Sequence, residues 1–252
     1  MKFKDKVVLV TGGGTGLGRA MCLQFAREGA AVIVNYSKSK ERAKEVVDRI
    51  DAMGGQAADI QADVSRDSQA RQLIEKAVTR FGRLDILINN AGWTRFIPHN
   101  ELDELNEEVL DNTWSVIVKA PIYCIRAAVP HLKENGAGAV INITSSAAYT
   151  AMGSSVIYCA AKAALASITK SMARALAPEI RVNAIAPGFV DTGFVNWSPE
   201  VLDHLKRKTR LGRPVVSEDI AEAAVYLAAD AQATTGQTIL VDGGVVALGP
   251  NA

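Results

Sequence analysis

Tyr158 and Lys162 stand four residues apart, and Ser145 precedes the tyrosine by thirteen. On an α-helix, positions i and i+4 are neighbours on one face, so this spacing predicts a phenol with an ammonium beside it. An unperturbed tyrosine titrates near pH ~10, too high for efficient acid–base work at neutral pH. A fixed positive charge favours the phenolate and lowers that value. A hydroxyl at Ser145 then holds a substrate oxygen within reach of the phenol. The chemistry implied is proton transfer to or from an oxygen whose charge changes during reaction. The same spacing also fits a half-buried tyrosine capped by a solvated lysine, so the pair has to be judged with the rest of the chain.

A second group of residues lies near the N-terminus. Residues 11–18 read TGGGTGLG, with glycines at Gly12, Gly16 and Gly18. The run 6–10 (KVVLV) before it is strand-like. Residues 17–28 after it have helical spacing, with Leu17, Ala20, Met21 and Phe25 on one side and Gly29 as a C-cap. Residues 31–35 (AVIVN) are strand-like again. Strand, glycine-rich turn, helix, strand is the context in which such a turn binds a dinucleotide. Bare backbone approaches a pyrophosphate closely, and the helix start offers free N–H groups and partial positive charge. The spacing here is GxxxGxG rather than GxGxxG.

The remaining elements continue the alternation. Residues 39–53 read as a charged amphipathic helix ending at Gly54-Gly55, and 57–62 as a third strand ending at Asp63-Val64. Ser65 reads as the N-cap of a helix reaching Phe81. A fourth strand, 84–88, runs into Asn89-Asn90-Ala91-Gly92. A long helical region covers 103–133, with Pro121 and Pro130 expected to divide or kink it. A fifth strand, 139–144, delivers Ser145 at its C-terminal end. The helix with Tyr158 and Lys162 runs to Leu176. Strands 180–185, before Pro187-Gly188, and 239–242 complete the set. This predicts an α/β fold: one doubly wound parallel sheet of seven strands, helices on both faces, in a single domain over 1–252. The glycine turn, Asp63, the 89–92 run, Ser145 and Pro187-Gly188 all fall at strand C-termini, where such sheets bind ligands.

Composition narrows the function. With 28 basic and 27 acidic residues the net charge is +1, which gives no electrostatic grip on nucleic acid or an anionic membrane. No apolar run approaches a membrane span, and the N-terminus enters a strand directly without a signal-peptide pattern. Cys22, Cys124 and Cys159 are far apart and read as buried thiols of a reducing compartment. His99, His131 and His204 have no ligand spacing, so no metal is expected. The expected location is the cytoplasm.

Taken together, the motifs resemble the short-chain dehydrogenase/reductase family, in its branch of about 250 residues that includes 3-oxoacyl-carrier-protein-reductase-like members. The matching stretches are TGGGTGLG at 11–18, NNAG at 89–92, Ser145, YCAAK at 158–162, Pro187-Gly188 followed by Thr192, and the closing TGQTILVDGG. The resemblance implies a Rossmann-like NAD(P)-binding domain that moves a hydride between a nicotinamide and a carbonyl or secondary alcohol. It implies Tyr158 as acid and base, Lys162 lowering its pKa and binding the nicotinamide ribose, and Ser145 orienting the substrate oxygen. It further implies cofactor contacts from Gly12, Thr15, Gly16, Leu17, Gly18, Asp63, Val64, Asn90, Ala91, Gly92, Pro187, Gly188, Val190 and Thr192. Asp63 would meet adenine, Asn90 the adenosine ribose and Thr192 the nicotinamide amide. A homo-oligomer, tetramer or dimer, is implied too, built on helices near 103–133 and 156–176.

One position departs from the family. Its vNvkG pattern aligns with 116–120, which puts Ile117 where an asparagine is expected. Asn112, five residues earlier, falls about 140° away on a regular helix. The departure admits an alternative: a weakly active or non-catalytic dinucleotide-binding sensor or scaffold. For the cofactor, NAD-selective relatives place an acid at the end of the second strand, and here that position is Tyr36, followed by Ser37 and Lys38. Hydroxyls and a cation without a carboxylate suit a 2′-phosphate, so NADP is favoured over NAD. A segment at about 192–214 would cover the substrate, with Phe194, Val195 and Trp197 closing over it. Trp93, Phe96, Tyr149 and Met152 are candidates for the pocket wall, and Lys206-Arg207-Lys208 either faces an anionic carrier or carboxylate or, the favoured reading, is a solvated helix face.

Overall fold

Seven short runs, most of them rich in β-branched residues, form the strands of one parallel sheet: β1 (Val7–Val10), β2 (Ala31–Tyr36), β3 (Gln56–Gln61), β4 (Ile86–Asn89), β5 (Gly138–Ile143), β6 (Ile180–Pro187) and β7 (Thr238–Val241). The sheet order is β3-β2-β1-β4-β5-β6-β7, and every pairing is parallel. The computed structural model describes residues 1–134, 136–194, 200, 203 and 207–249. Within these the helices are α1 (Gly16–Arg27), α2 (Lys40–Ala52), α3 (Asp67–Phe81), α4 (Glu107–Trp114), α5 (Ala120–Glu134), α6 (Ala147–Thr150), α7 (Val156–Leu176), α8 (Ser217–Ala229) and α9 (Val245–Leu248).

Side-chain alternation along the strands splits the core in two. Val8, Val10, Val32, Val34, Ile88 and Ile141 face α1, α2 and α8, where Met21, Phe25, Val46, Ile50 and Leu227 cover them. Val7, Leu9, Ile33, Leu87 and Val140 face the other way, against Leu73, Ile74, Ile125, Leu132 and Ala173 of α3, α5 and α7. Strands buried on both faces read as unbroken apolar runs, as β1 (VVLV) does. Phe25 is fully enclosed and its ring lies 4.8 Å from that of Phe3. Enclosing a side chain of that size contributes about 1.5–3 kcal/mol.

β1 to β3 run outward on one side, and β4 returns to the other side of β1. That reversal opens a crevice above the C-terminal ends of β1 and β4. The glycine turn and the 89–92 run stand on its two sides.

Several local expectations are corrected. Ser65 is not an N-cap; Arg66 takes that position, and the Ser65 hydroxyl donates to Asp63 instead (2.6 Å). The region 103–133 is not one helix divided at its prolines. A 3-10 turn at Leu102–Glu104 precedes α4, and a π-turn at Ser115–Lys119 joins α4 to α5. Pro121 explains the π-turn: it has no N–H to give the Ile117 carbonyl, and Ala120 reaches back five residues to Ser115. Pro130 lies inside α5 without ending it. Helix α8 was not anticipated. Its start is fixed by Asp219, which accepts from Val216 N (2.9 Å) and pairs with Arg213 (2.7 Å). Its end is held by Arg181 of β6, which donates to the carbonyls of Leu227, Ala228 and Ala231. The three cysteines are buried and free, as expected. No helix among the described residues is long and apolar enough to cross a membrane.

Candidate active site

The turn after β1 is shaped by its neighbours. Gly12 (φ +63°) and Gly16 (φ +49°) adopt left-handed conformations that favour glycine. A Cβ on Gly18 would lie 2.2 Å from the Gly12 carbonyl oxygen and 2.6 Å from Nδ2 of Asn90, so only glycine lets α1 start so close to β1. Asn90 Nδ2 donates to the carbonyls of Thr11 (2.9 Å) and Gly12 (3.2 Å). Thr11 Oγ1 in turn accepts the N–H groups of Asn90 (2.9 Å) and Ala91 (3.0 Å). The two sides of the crevice are thus one hydrogen-bonded unit. Thr15 caps α1 in an extended conformation without a side-chain bond to the helix, and the first-turn N–H groups at Gly16, Leu17 and Gly18 face outward from the ladder.

The other predicted contacts ring this turn. Tyr36 is buried, and Ser37 and Lys38 beyond it are exposed. Asp63 is held by the Ser65 hydroxyl and backbone and by Arg66 at 3.5 Å; Val64 is buried beside it. Gly188 packs on Asp242, where a Cβ would come within 2.7 Å of Cα. Pro187 ends β6, and Val190 bridges to Val215. Thr192 packs over Gly16, within 3.1 Å of where a Cβ would stand. These residues fit a dinucleotide: a side-chain-free turn at a helix start, a fixed carboxylate at the end of β3, and exposed Ser37 and Lys38 at the end of β2.

Ser145 follows β5. Tyr158 and Lys162 lie one turn apart on α7, which begins at a true cap: Ser155 Oγ accepts from Tyr158 N (3.3 Å). The Ser145 hydroxyl lies near enough to the Tyr158 phenol to favour its ionised form, and it accepts from Ala147 N (3.2 Å). The trio therefore meets in space. Lys162 is buried and donates from Nζ to the Ile143 carbonyl (2.7 Å). Its ammonium is 5.6 Å from the Tyr158 ring centroid. Burial lowers Lys162 to about 8. Burial also pushes Tyr158 up to about 12, against the nearby Ser145 hydroxyl, which lowers it. Lys162 is not among the groups that shift the phenol here. The lysine gives its bond to a carbonyl, and desolvation of the phenol dominates.

Phe194 leans over the trio, 6.5 Å from the Tyr158 ring and against Gly92. Trp93 is half-buried, while Phe96, Tyr149 and Met152 are exposed. Val195, Trp197, His204 and Lys206 lie outside the described residues. Ile117 is fully buried among Val118, Ala161 and Leu165. The regular-helix phase used for Asn112 fails across the π-turn, and Asn112 is exposed. The buried polar residue of α4 is Thr113, one turn before Ile117, its hydroxyl donating to the Val109 carbonyl (2.7 Å).

Sequence reading also passed over Asn35. Its Oδ1 accepts from Gly12 N (3.3 Å), its carbonyl from Gly13 N (2.8 Å), and its Nδ2 donates to Ile60 and Ala62. It ties the glycine turn to the ends of β2 and β3. The one available signal was a polar residue near the end of an otherwise apolar strand.

Comparison with known proteins places these features in context. A family model described as "Enoyl-(Acyl carrier protein) reductase" matches residues 12–246. An uncharacterized oxidoreductase of Thermotoga maritima is 40% identical over 260 residues, covering 98% of this chain and 100% of that protein. A 3-oxoacyl-[acyl-carrier-protein] reductase of Staphylococcus epidermidis is 38% identical over 244 residues, covering 96% and 99%. The crystal structure of a short chain dehydrogenase from Burkholderia cenocepacia in complex with NADP superposes with a TM-score of 0.91 at 34% identity, covering 98% of this chain and 100% of that one.

Proposed function

The chain belongs to the short-chain dehydrogenase/reductase family of oxidoreductases, and from that premise we propose that it transfers a hydride between a nicotinamide dinucleotide and a carbonyl or secondary-alcohol substrate. The observation that carries this reading is the meeting of Ser145 with Tyr158, and of Lys162 with the strand that bears Ser145, beside the glycine turn. A bound nicotinamide supplies or takes the hydride. The protein manages the proton. In reduction Tyr158 gives its phenolic proton to the oxygen that gains charge, and in oxidation its phenolate takes the proton back. Ser145 donates a hydrogen bond to the same oxygen. Lys162, at about 8, remains mainly protonated at neutral pH and keeps a positive charge one turn from the phenol. Loss of reduced-nicotinamide absorbance over a panel of ketones and 3-oxoacyl thioesters tests the reading; no turnover of any of them would sink it.

NADP is the preferred cofactor. Tyr36 offers no carboxylate to a ribose 2′-hydroxyl, and Ser37 and Lys38 are exposed where a 2′-phosphate would lie; the Burkholderia relative was crystallised with NADP. Ser37→Asp is expected to weaken NADPH binding by about tenfold to a hundredfold, the worth of one or two charge-assisted bonds, with NADH less affected. Equal affinity losses for both would contradict the assignment. The single-domain reading, with a covering segment at about 192–214, goes with this chemistry, and we place the protein in the cytoplasm; microscopy of a tagged copy at a membrane or outside the cell would refute that.

A second reading, dinucleotide binding without turnover, rests on the apolar Ile117 packed against α7. It predicts tight NADPH binding and inactivity across the same panel. A homo-oligomer is proposed as well, on the exposed Leu110, Trp114 and Val156 of α4 and α7. Light scattering of a monomer at micromolar concentration would refute it.

A further inference from the structure

A buried chain of side-chain hydrogen bonds runs beneath the site, and the chemistry above makes no use of it. Asn89, the last residue of β4, donates from Nδ2 to Oδ1 of Asn142 in β5 (2.9 Å). Asn142 donates from Nδ2 to Oγ1 of Thr169 in α7 (2.9 Å). Thr169 donates to the Leu165 carbonyl (2.9 Å). Asn89 is 3% exposed, and Asn142 and Thr169 are fully buried. All three donors point the same way, so each bond polarises the next.

Their neighbours on this sheet face are apolar: Leu87, Val140 and Val182. Apolar side chains in these three places would need no partners, so the network is not required for burial. Hydrophobic contact is non-directional and leaves a helix free to settle in more than one register. A fully satisfied polar chain selects one.

The chain's members sit next to the functional groups. Asn90, after Asn89, holds the glycine turn. Ile143, after Asn142, accepts the Lys162 ammonium, and Ser145 follows two residues later. Thr169 lies seven residues past Lys162, two turns along the same face of α7.

We propose that Asn142 and Thr169, supported by Asn89, are positioning residues that fix α7 on β5 and thereby set Tyr158 and Lys162 against Ser145. The inference rests on the oxidoreductase reading, and its test separates the two. Thr169→Val removes the hydroxyl and Thr169→Ser restores it. The triple variant Asn89→Leu, Asn142→Val, Thr169→Val removes the network without leaving orphaned groups, and serves where Thr169→Val fails to fold. Expected are a kcat lower by about tenfold or more, an NADPH Kd within about twofold, and recovery in Thr169→Ser. The titration of Tyr158, followed by NMR of ¹³C-labelled tyrosine and assigned with Tyr158→Phe, is expected to shift in Thr169→Val and return in Thr169→Ser. A lower Tm with unchanged kcat and unchanged Tyr158 titration would overturn the proposal. If the native chain turns over no carbonyl, the oxidoreductase reading fails, and the tyrosine titration alone decides the positioning claim.

Discussion

Tyr158 is held between a hydroxyl and a glycine. The Ser145 hydroxyl stands near its oxygen. Gly153 lies against its ring, so that a Cβ there would come within 3.1 Å of Cδ1 and 2.9 Å of the Cys159 sulfur. Gly153→Ala therefore displaces the proposed proton-donating phenol without touching its chemistry. A drop in kcat of about tenfold is expected, with cofactor affinity retained; wild-type turnover would show that the loop absorbs the methyl group. Residue types and spacing made the trio legible, because a tyrosine and lysine four apart on a helix must share a face. The direction of the Tyr158 shift was not legible. It depends on where the Lys162 ammonium points and how much water the phenol keeps, and neither follows from spacing. Asn35, Asn142 and Thr169 were hidden for a related reason. A lone polar residue in an apolar run has no pattern until its partners from distant strands are known.

At the scale of elements, strand runs and glycine turns placed seven strands and five helical stretches within a few residues, one of those stretches resolving into α4, the π-turn and α5. The π-turn before α5 was missed because a proline's effect depends on which carbonyl it fails to serve. Helix α8 was missed although its Ser217-Glu218-Asp219 start and its spacing of Ile220, Ala224 and Leu227 carry a helix signature. The structure adds what sequence could not: a cation from β6 at that helix's C-terminal end. Arg181 is half-buried, and burial alone lowers its pKa; the three carbonyls it serves sit where a helix carries partial negative charge. Arg181→Met leaves them without their donor and is expected to cost about 2 kcal/mol in chemical denaturation. An unchanged midpoint would mean that water replaces the guanidinium at no cost.

For the whole molecule, order in the sheet decides function. The sequence predicts alternation and a doubly wound parallel sheet, but that the order reverses between β1 and β4 becomes visible only in the pairing of strands. The glycine turn, Ser145 and the 89–92 run collect at the C-terminal edge, and a buried carboxylate with two cations lies at the opposite one. Asp85, 3% exposed, accepts from Val7 N (2.9 Å) and pairs with Arg83 (2.7 Å) and Lys6 (3.1 Å). Burial alone would raise its pKa, yet Arg83, the Val7 N–H and Lys6 together hold it below the ordinary aspartate value. A depressed carboxylate stabilises the fold above its unfolded pKa of ~3.9, and that contribution is lost as pH falls through the folded value. Asp85→Asn is expected to flatten the stability-against-pH curve below about pH 4. Its cost at neutral pH should fall under the roughly 3–5 kcal/mol of breaking a wholly enclosed pair, since Arg83 and Lys6 are partly solvated. An acid limb identical to that of the native chain would rule this out. The account as a whole stands on Tyr158 as the proton donor. The most direct measurement is steady-state ketone reduction by the native chain and by Tyr158→Phe, with the NADPH Kd determined for both. The account predicts a loss of about a hundredfold or more in kcat at nearly unchanged Kd. Turnover by the phenylalanine variant at the native rate would contradict it.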